Sequence, residues 1–213
     1  MKTKLDFIQG FKALTELALA AAKPVVVLIA GASGSGKSHL AKLLSAKLLQ
    51  CGILTTVIGQ DDYFRDCFDP DLPLDSQGRG IFDLPASYLD LELASDIRML
   101  LSGFTVQGPL YDKKVNLRSL TKKTLEAAPV VIVEGLYAIL ALADNDDMPI
   151  IKIYVEADSD ICLRSRIRRD TVAFGISAEK VEKFYNERVL PYAKEALTDQ
   201  AKLADLIIVN DHL

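Results

Sequence analysis

At 213 residues, half of them hydrophobic, the chain is long enough to bury a sizeable core and reads as one domain spanning 1–213. A net charge of −4 and a pI near 5.3 exclude a dedicated nucleic-acid surface, because neutralising several phosphates takes a basic face. Cys51, Cys67 and Cys162 form no C-x-x-C pair and the histidines are His39 and His212 alone, so neither a zinc site nor a disulfide framework is expected, and a cytoplasmic setting is the simplest inference.

Residues 1–22 read as an N-terminal helix, with Leu14, Leu17, Ala18 and Ala21 on one face and Lys23-Pro24 ending it. Its polar face is not strongly basic, so it is expected to pack on a sheet rather than lie on a membrane. Asp6, Lys12 and Glu16 interrupt the apolar core a signal peptide needs, and no apolar run reaches the roughly 18 residues of a spanning helix. Neither secretion nor a membrane partner is expected.

Val25 to Ala30 is an apolar run that reads as a buried strand, and it runs into Gly31-Ala32-Ser33-Gly34-Ser35-Gly36-Lys37-Ser38. This fits G-x-x-x-x-G-K-[ST]. Glycines let successive backbone N–H groups point inward with no Cβ in the way of a phosphate. Leu40, Leu43, Leu44 and Leu48 then recur at helical spacing, so the loop opens a helix near Gly36 whose positive end adds to the cradle. Lys37 can reach the β- and γ-phosphates of a nucleotide, Ser38 is placed to ligate magnesium, and His39 follows in the first turn. A glycine-rich turn with a surface lysine would need neither the strand before it nor the hydroxyl after it.

Ile53 to Gln60 fits a second core strand that delivers Asp61 and Asp62 at its carboxyl end, where ligands bind in open α/β sheets. Tyr63 to Pro85 reads as a long functional loop rich in aspartate. Ala86 to Leu101 has helical spacing through Leu89, Leu93, Ile97 and Leu100, and Thr105 to Leu125 reads as a hairpin beside the site. Val130 to Val133 ends in Glu134-Gly135, like a Walker B strand carrying a carboxylate toward magnesium. Ile150 to Val155 is a further strand. Ser159 to Asp170 is a basic helix on which Arg166 and Arg169 share one face and Arg164 and Arg168 another, so one pair is expected to face a phosphate. Val181, Phe184, Tyr185 and Val189 mark another helix, Pro191 suits the first turn of the next, and Leu206 to Val209 is a final strand. Strands without polar alternation predict an α/β fold with a parallel sheet covered on both faces.

Seven ordered stretches resemble the uridine kinase branch of the P-loop kinases, which includes phosphoribulokinase-like enzymes. They are Gly31 to Ser38, Gln60 to Arg65, Phe82 to Pro85, Pro109 to Asp112 with Arg118, Val133 to Gly135, Arg166 to Asp170, and Tyr185 through Pro191 to Asp205. The resemblance implies a P-loop NTPase three-layer α/β/α architecture with a small lid and hairpin. Residues 61–85 and 104–125 would form the acceptor-side loop and hairpin, and 164–176 the lid. It further implies transfer of the ATP γ-phosphoryl group to a hydroxyl of a nucleoside or a related ribosyl or polyol acceptor, with Mg2+. By similarity, Asp61 orients or deprotonates the attacking hydroxyl, Glu134 and Ser38 hold magnesium with Asp61 beside them, and Lys37, Arg166 and Arg169 act on the phosphates. Asp83, Tyr111, Asn116, Arg118 and Arg166 fall to the acceptor. Related kinases often form dimers or tetramers, so a homo-oligomer is implied by resemblance alone.

Departures cluster on the acceptor side. Asn116 stands where uridine kinases carry a base-contacting histidine, Phe64 replaces a tyrosine, and Phe184 replaces a glutamine. The E-R-G-R of the lid is Ala173-Phe174-Gly175-Ile176, leaving Arg164, Arg168 or Arg79 to supply the missing charge. Taken singly, Asp61 also suits a helix N-cap or surface turn, Glu134 a strand-end ion pair, and the arginines a solvated face. The competing functions are a nucleotide-dependent regulatory ATPase and a nucleotide binder without turnover; no [NT]-K-x-D guanine-reading motif is present.

Overall fold

The computed structural model describes residues 4–145 and 147–211. Its centre is a six-stranded, all-parallel sheet of β1 (Lys4–Asp6), β2 (Val25–Gly31), β3 (Thr55–Gly59), β8 (Val130–Gly135), β9 (Ile150–Glu156) and β10 (Leu206–Val209). The strand order is β1-β10-β9-β2-β8-β3. All seven residues of β2 are buried, and its side chains alternate between two cores as the strand period requires. Val25, Val27 and Ile29 pack with Leu14, Leu40 and Leu44 on one face. Val26, Leu28 and Ala30 pack with Leu93, Ile97 and Leu142 on the other. A strand buried on both faces has no polar positions to alternate, which is why the run reads as continuous.

Helices α1 (Phe7–Ala20) and α2 (Lys37–Gln50) carry residues of the first core, and α3 (Asp90–Leu101) and α4 (Ala138–Ala141) carry residues of the second. The expected helix over 1–22 is shorter. Lys4–Asp6 pairs with β10 as an edge strand, and Asp6 then caps α1 by accepting from the Gln9 N–H at 2.9 Å. The inward face is Gly10, Leu14, Thr15 and Ala18, with Leu17 exposed. Residues 1–3 and His212 lie outside the described residues. The helix expected from Ala86 begins at Asp90, because Pro85–Ser87 forms a 3-10 turn and the Leu89 N–H is held by the Tyr63 carbonyl at 2.8 Å.

The segment 104–125 is a nested hairpin. β4 (Val106–Gly108) pairs antiparallel with β7 (Lys123–Leu125), and β5 (Tyr111–Asp112) with β6 (Leu117–Arg118). Helix α5 (Ser159–Phe174) runs past the expected end at Asp170 and stops at Gly175, whose φ of +66° is left-handed. Helix α6 (Ala178–Phe184) passes through a π turn at Tyr185–Val189 into α7 (Leu190–Leu203) with no break in helical backbone. Pro191 explains the widened turn: it has no N–H to donate and its ring crowds the carbonyl four residues back.

The loop after Tyr63 is ordered by Asp75. Its carboxylate accepts from the backbone N–H groups of Gln77 and Arg79, both at 2.9 Å, and from Arg79 Nε at 2.8 Å. The Arg79 N–H is the chief cause that holds this carboxyl at about 2 rather than the ordinary 3.8; loss of hydration opposes it, and the Arg79 side chain and the Gln77 N–H assist.

Gly10 lies against β10, where an added Cβ would stand 2.7 Å from Ile208 Cγ1. Gly10→Val is expected to lower stability by about 1–3 kcal/mol through overpacking, read as a reduced Tm with unchanged ATP affinity. Because the Asp75 carboxyl is depressed in the folded state, its stabilisation is present above pH about 4 and is lost as pH falls toward about 2. Asp75→Asn is expected to flatten the acid dependence of the unfolding midpoint across that window.

Candidate active site

Because every strand of the sheet runs the same way, β2, β3 and β8 deliver their carboxyl ends to one edge. Glu134 pairs in register with Ile29 on one side and Gly59 on the other. The phosphate loop, Glu134 and the Asp61 turn are therefore neighbours by sheet geometry alone.

The loop itself is held open by glycine. Gly34 and Gly36 have φ of +88° and +98°, a region that costs a side chain strain. A Cβ on Gly34 would meet the Cys162 carbonyl oxygen at 2.3 Å, so α5 closes the back of the cradle against bare backbone. The Asn210 amide donates to the Ser35 carbonyl at 2.9 Å, anchoring the loop to the end of β10. Ser33, Gly34, Gly36, Lys37, Ser38 and His39 line the cleft, whereas Gly31, Ala32 and Ser35 stand behind it. The Ser35 hydroxyl is buried without a partner. The His39 ring lies 6.2 Å from that of Phe7.

Lys37 is buried and donates to the Ala32 carbonyl at 2.8 Å. Loss of hydration pushes its ammonium pKa down, and the charges of Glu134 and Asp61 oppose that. Burial likewise raises the Glu134 carboxyl, against Lys37 and a hydrogen bond donated by the Ser38 hydroxyl. Asp61, in the 3-10 turn Gln60–Tyr63, ends below the ordinary carboxylate value: desolvation works to raise it, but the charge and hydrogen bond of Lys113 prevail, with Lys37 and Arg169 behind. Lys113 Nζ stands 2.5 Å from Asp61 Oδ2. Asp62 is turned to structural use, accepting from the Tyr111 N–H at 3.3 Å.

Across the cleft from the phosphate loop, Asp83 and Tyr111, both expected at the acceptor, line the wall. Burial raises the Asp83 carboxyl, opposed by Arg166 and Arg188. The Tyr111 ring packs 5.3 Å from Phe64, which stacks on Tyr88 at 4.4 Å, and the Tyr111 hydroxyl donates to the Arg65 carbonyl at 3.2 Å. Asn116 lines the cleft with φ of +55°, a left-handed turn position that asparagine tolerates. Arg118, expected at the acceptor, is not among the cleft-lining residues. It pairs with Glu92 on α3 at 2.5 Å, and its N–H donates to Asp66.

The basic helix also differs from expectation, since Arg166, Arg168 and Arg169 all border the cleft while Arg164 does not. The cleft wraps the end of α5, so its rim takes a residue from the second face. Arg79, the other candidate for the missing lid charge, is tied to Asp75. Arg166 donates to Ser33 Oγ at 3.2 Å, and buried Asp170 pairs with Arg166 at 3.3 Å and Arg169 at 2.7 Å. Of that double pairing the sequence offered only the i,i+4 spacing of Arg166 and Asp170, since Arg169 and Asp170 are neighbours in the chain. Lys113 and Lys180, which no motif singled out, also line the cleft. Lys180 brings a cation to the cleft edge beside Phe174 and Ile176.

The cleft encloses about 1270 Å3. That exceeds the roughly 300–1,000 Å3 of an ordinary small-molecule site, and leaves room for a nucleotide and an acceptor together. Among the described residues no cluster of three His, Cys, Asp or Glu stands ready for a metal. The Ser38 hydroxyl beside the Glu134 carboxylate suits instead a cation shared with nucleotide phosphates, the usual arrangement behind this loop.

A glycine cradle at the end of a central parallel strand, a buried lysine and a carboxylate on the neighbouring strand are the parts of a P-loop nucleotide site. Solved structures share the fold. D-glycerate 3-kinase from Cryptococcus neoformans var. grubii matches with TM-score 0.66 at 19% identity, over 94% of this chain and 95% of its own. The possible uridine kinase of Bacillus stearothermophilus gives 0.58 at 21%, over 94% and 98%. The sequence model of the Phosphoribulokinase / Uridine kinase family matches residues 26–211, and the chain belongs to that family. Uridine kinases of Oceanobacillus iheyensis and Deinococcus deserti are each 32% identical, covering 87% of this chain and 86% and 87% of theirs. The chain is thus an ATP-dependent kinase of this family, a phosphotransferase with an alcohol acceptor; such kinases generally use Mg2+. Among the described residues no helix is long and apolar enough to cross a membrane.

Gly34→Ala is expected to weaken ATP binding at least about tenfold, since roughly 1–3 kcal/mol of backbone strain and the Cys162 contact fall on the cradle. Calorimetric titration with MgATP checks this; unchanged affinity would contradict the cradle.

Proposed function

We propose that this kinase transfers the ATP γ-phosphoryl group to a hydroxyl of a nucleoside of the uridine or cytidine kind, or of a related ribosyl or polyol acceptor. The observation that carries the reading is the meeting of the glycine cradle, Lys37 and an ion-paired Asp61 in one cleft whose far wall is Asp83 and an aromatic cluster. A half-buried carboxylate suits vicinal hydroxyls, and stacked rings suit the flat face of a sugar or base. Unpaired Cys51, Cys67 and Cys162 support a cytoplasmic setting.

In this mechanism Lys37 and the Gly34–Gly36 backbone hold the phosphates, and Arg166 and Arg169, braced by Asp170, counter charge on the group in transfer. Ser38 and Glu134 are the residues that would hold Mg2+, whose chemistry is to neutralise phosphate charge. Asp61 orients the acceptor hydroxyl and accepts its proton. The acceptor oxygen bonds to the γ-phosphorus as the bond to the ADP oxygen breaks. Phosphoryl transfer asks mainly for positioning and countercharge, and those are what these side chains supply.

A screen of nucleosides, ribosides and polyols with MgATP is expected to yield a phosphorylated product. Asp61→Asn is expected to lower kcat by about 10²–10⁴-fold with ATP affinity little changed. Phosphate release with no phosphorylated product would replace this reading with a regulatory ATPase, and tight ATP binding without turnover would make the chain a nucleotide binder.

A further inference from the structure

We propose that Arg188 is a positioning residue that fixes the Asp83 segment of the acceptor loop to the helical layer gripping the phosphates, coupling the two halves of the cleft. The proposal rests on the kinase reading above for its catalytic consequence, though not for its geometry.

Arg188 lies in the π turn between α6 and α7, outside the cleft, with its side chain 19% exposed. Its Nη2 stands 3.1 Å from Asp75 Oδ2 and donates to the Gly80 carbonyl at 3.0 Å. Gly80 precedes Asp83 by three residues, and Phe82 and Asp83 both line the cleft. On its other side the guanidinium carbon lies 5.6 Å from the centre of the Phe184 ring. The Arg166 guanidinium lies 5.5 Å from that same ring, and Arg166 in turn donates to Ser33 of the phosphate loop. One run of contacts thus leads from Ser33 through Arg166, Phe184 and Arg188 to Gly80 and Asp83.

A simple loop staple does not account for this arrangement. Asp75 already accepts from Gln77 and from both the backbone and side chain of Arg79, which close the loop within themselves. What Arg188 adds is the tie at Gly80, the shared ring, and a charge that the half-buried Asp83 carboxyl feels. The task suits arginine, whose planar fork can hold a carboxylate and a carbonyl while its face lies over a ring. The widened turn is a feature often found at functional sites. Phe184 therefore serves as the ring that two guanidinium groups share.

The test uses the full chain. Arg188→Met is expected to raise the acceptor KM about tenfold while the ATP Kd, measured without acceptor, stays within about twofold; Arg188→Lys recovers part of the loss. An unchanged acceptor KM, or an ATP Kd that moves in step with it, overturns the proposal. Hydrogen exchange supplies a readout independent of turnover: in Arg188→Met the amides of residues 77–83 are expected to exchange at least about tenfold faster with β2 unchanged. Unaltered exchange there also overturns it. If the native protein phosphorylates no acceptor, the kinase reading falls and the exchange result alone decides the positioning claim. Should Arg188→Met lose protection in β2 as well, Arg188→Gln replaces it under the same two criteria.

Discussion

Parallel strand direction is the constraint on which the site depends. In a parallel sheet every carboxyl end lies at one edge, so the loops after β2, β3 and β8 cannot avoid one another. Register then brings Glu134 level with Gly59 and Ile29, one residue short of the Asp61 turn and two short of Gly31. Local packing finishes the placement. A Cβ on Gly135 would stand 2.3 Å from Gln60 Cβ, and buried Gln60 accepts from the Tyr137 N–H at 2.9 Å, locking the end of β3 to the turn after β8.

Convergence at that edge sets an electrostatic problem. Lys37 is buried, Glu134 is half-buried and the Asp61 side chain is 42% exposed, so burial weighs most on Lys37, whose charge Glu134 and Asp61 help to offset. Removing the Glu134 carboxylate would leave the buried ammonium less compensated, where an unpaired ion is costly. The cations spread along α5 and the hairpin tip meet the same need from the opposite bank. Seven cationic side chains and five carboxylates line the cleft, a net positive lining in an otherwise acidic protein.

Aromatic and turn contacts organise the wall of the cleft that faces the phosphate loop. Phe64 enters a ring cluster with Tyr88 and Tyr111, Phe184 takes two arginines, and Asn116 takes a left-handed turn. Phe174 and Ile176 stand at the cleft edge, with Arg168 and Lys180 bringing charge from either side of them.

The sequence by itself determined the phosphate loop, the strands flanking it, the Walker-B-like Glu134 and the class of fold, because each is written in contiguous residues whose backbone needs and apolar periodicity are local. Strand ends and the start of α3 moved by a few residues where a neighbouring element took over a hydrogen bond, as the Tyr63 carbonyl does for Leu89. Only the tertiary structure decided that Lys113 meets Asp61 across 52 positions, that Arg118 turns away to Glu92, and that Arg188 reaches Gly80 across 108. Such pairings leave no periodic trace. They depend on how far a side chain reaches once the hairpin and helices have docked, and a charged residue in a line of sequence looks the same whether it will face water, a carboxylate or a phosphate.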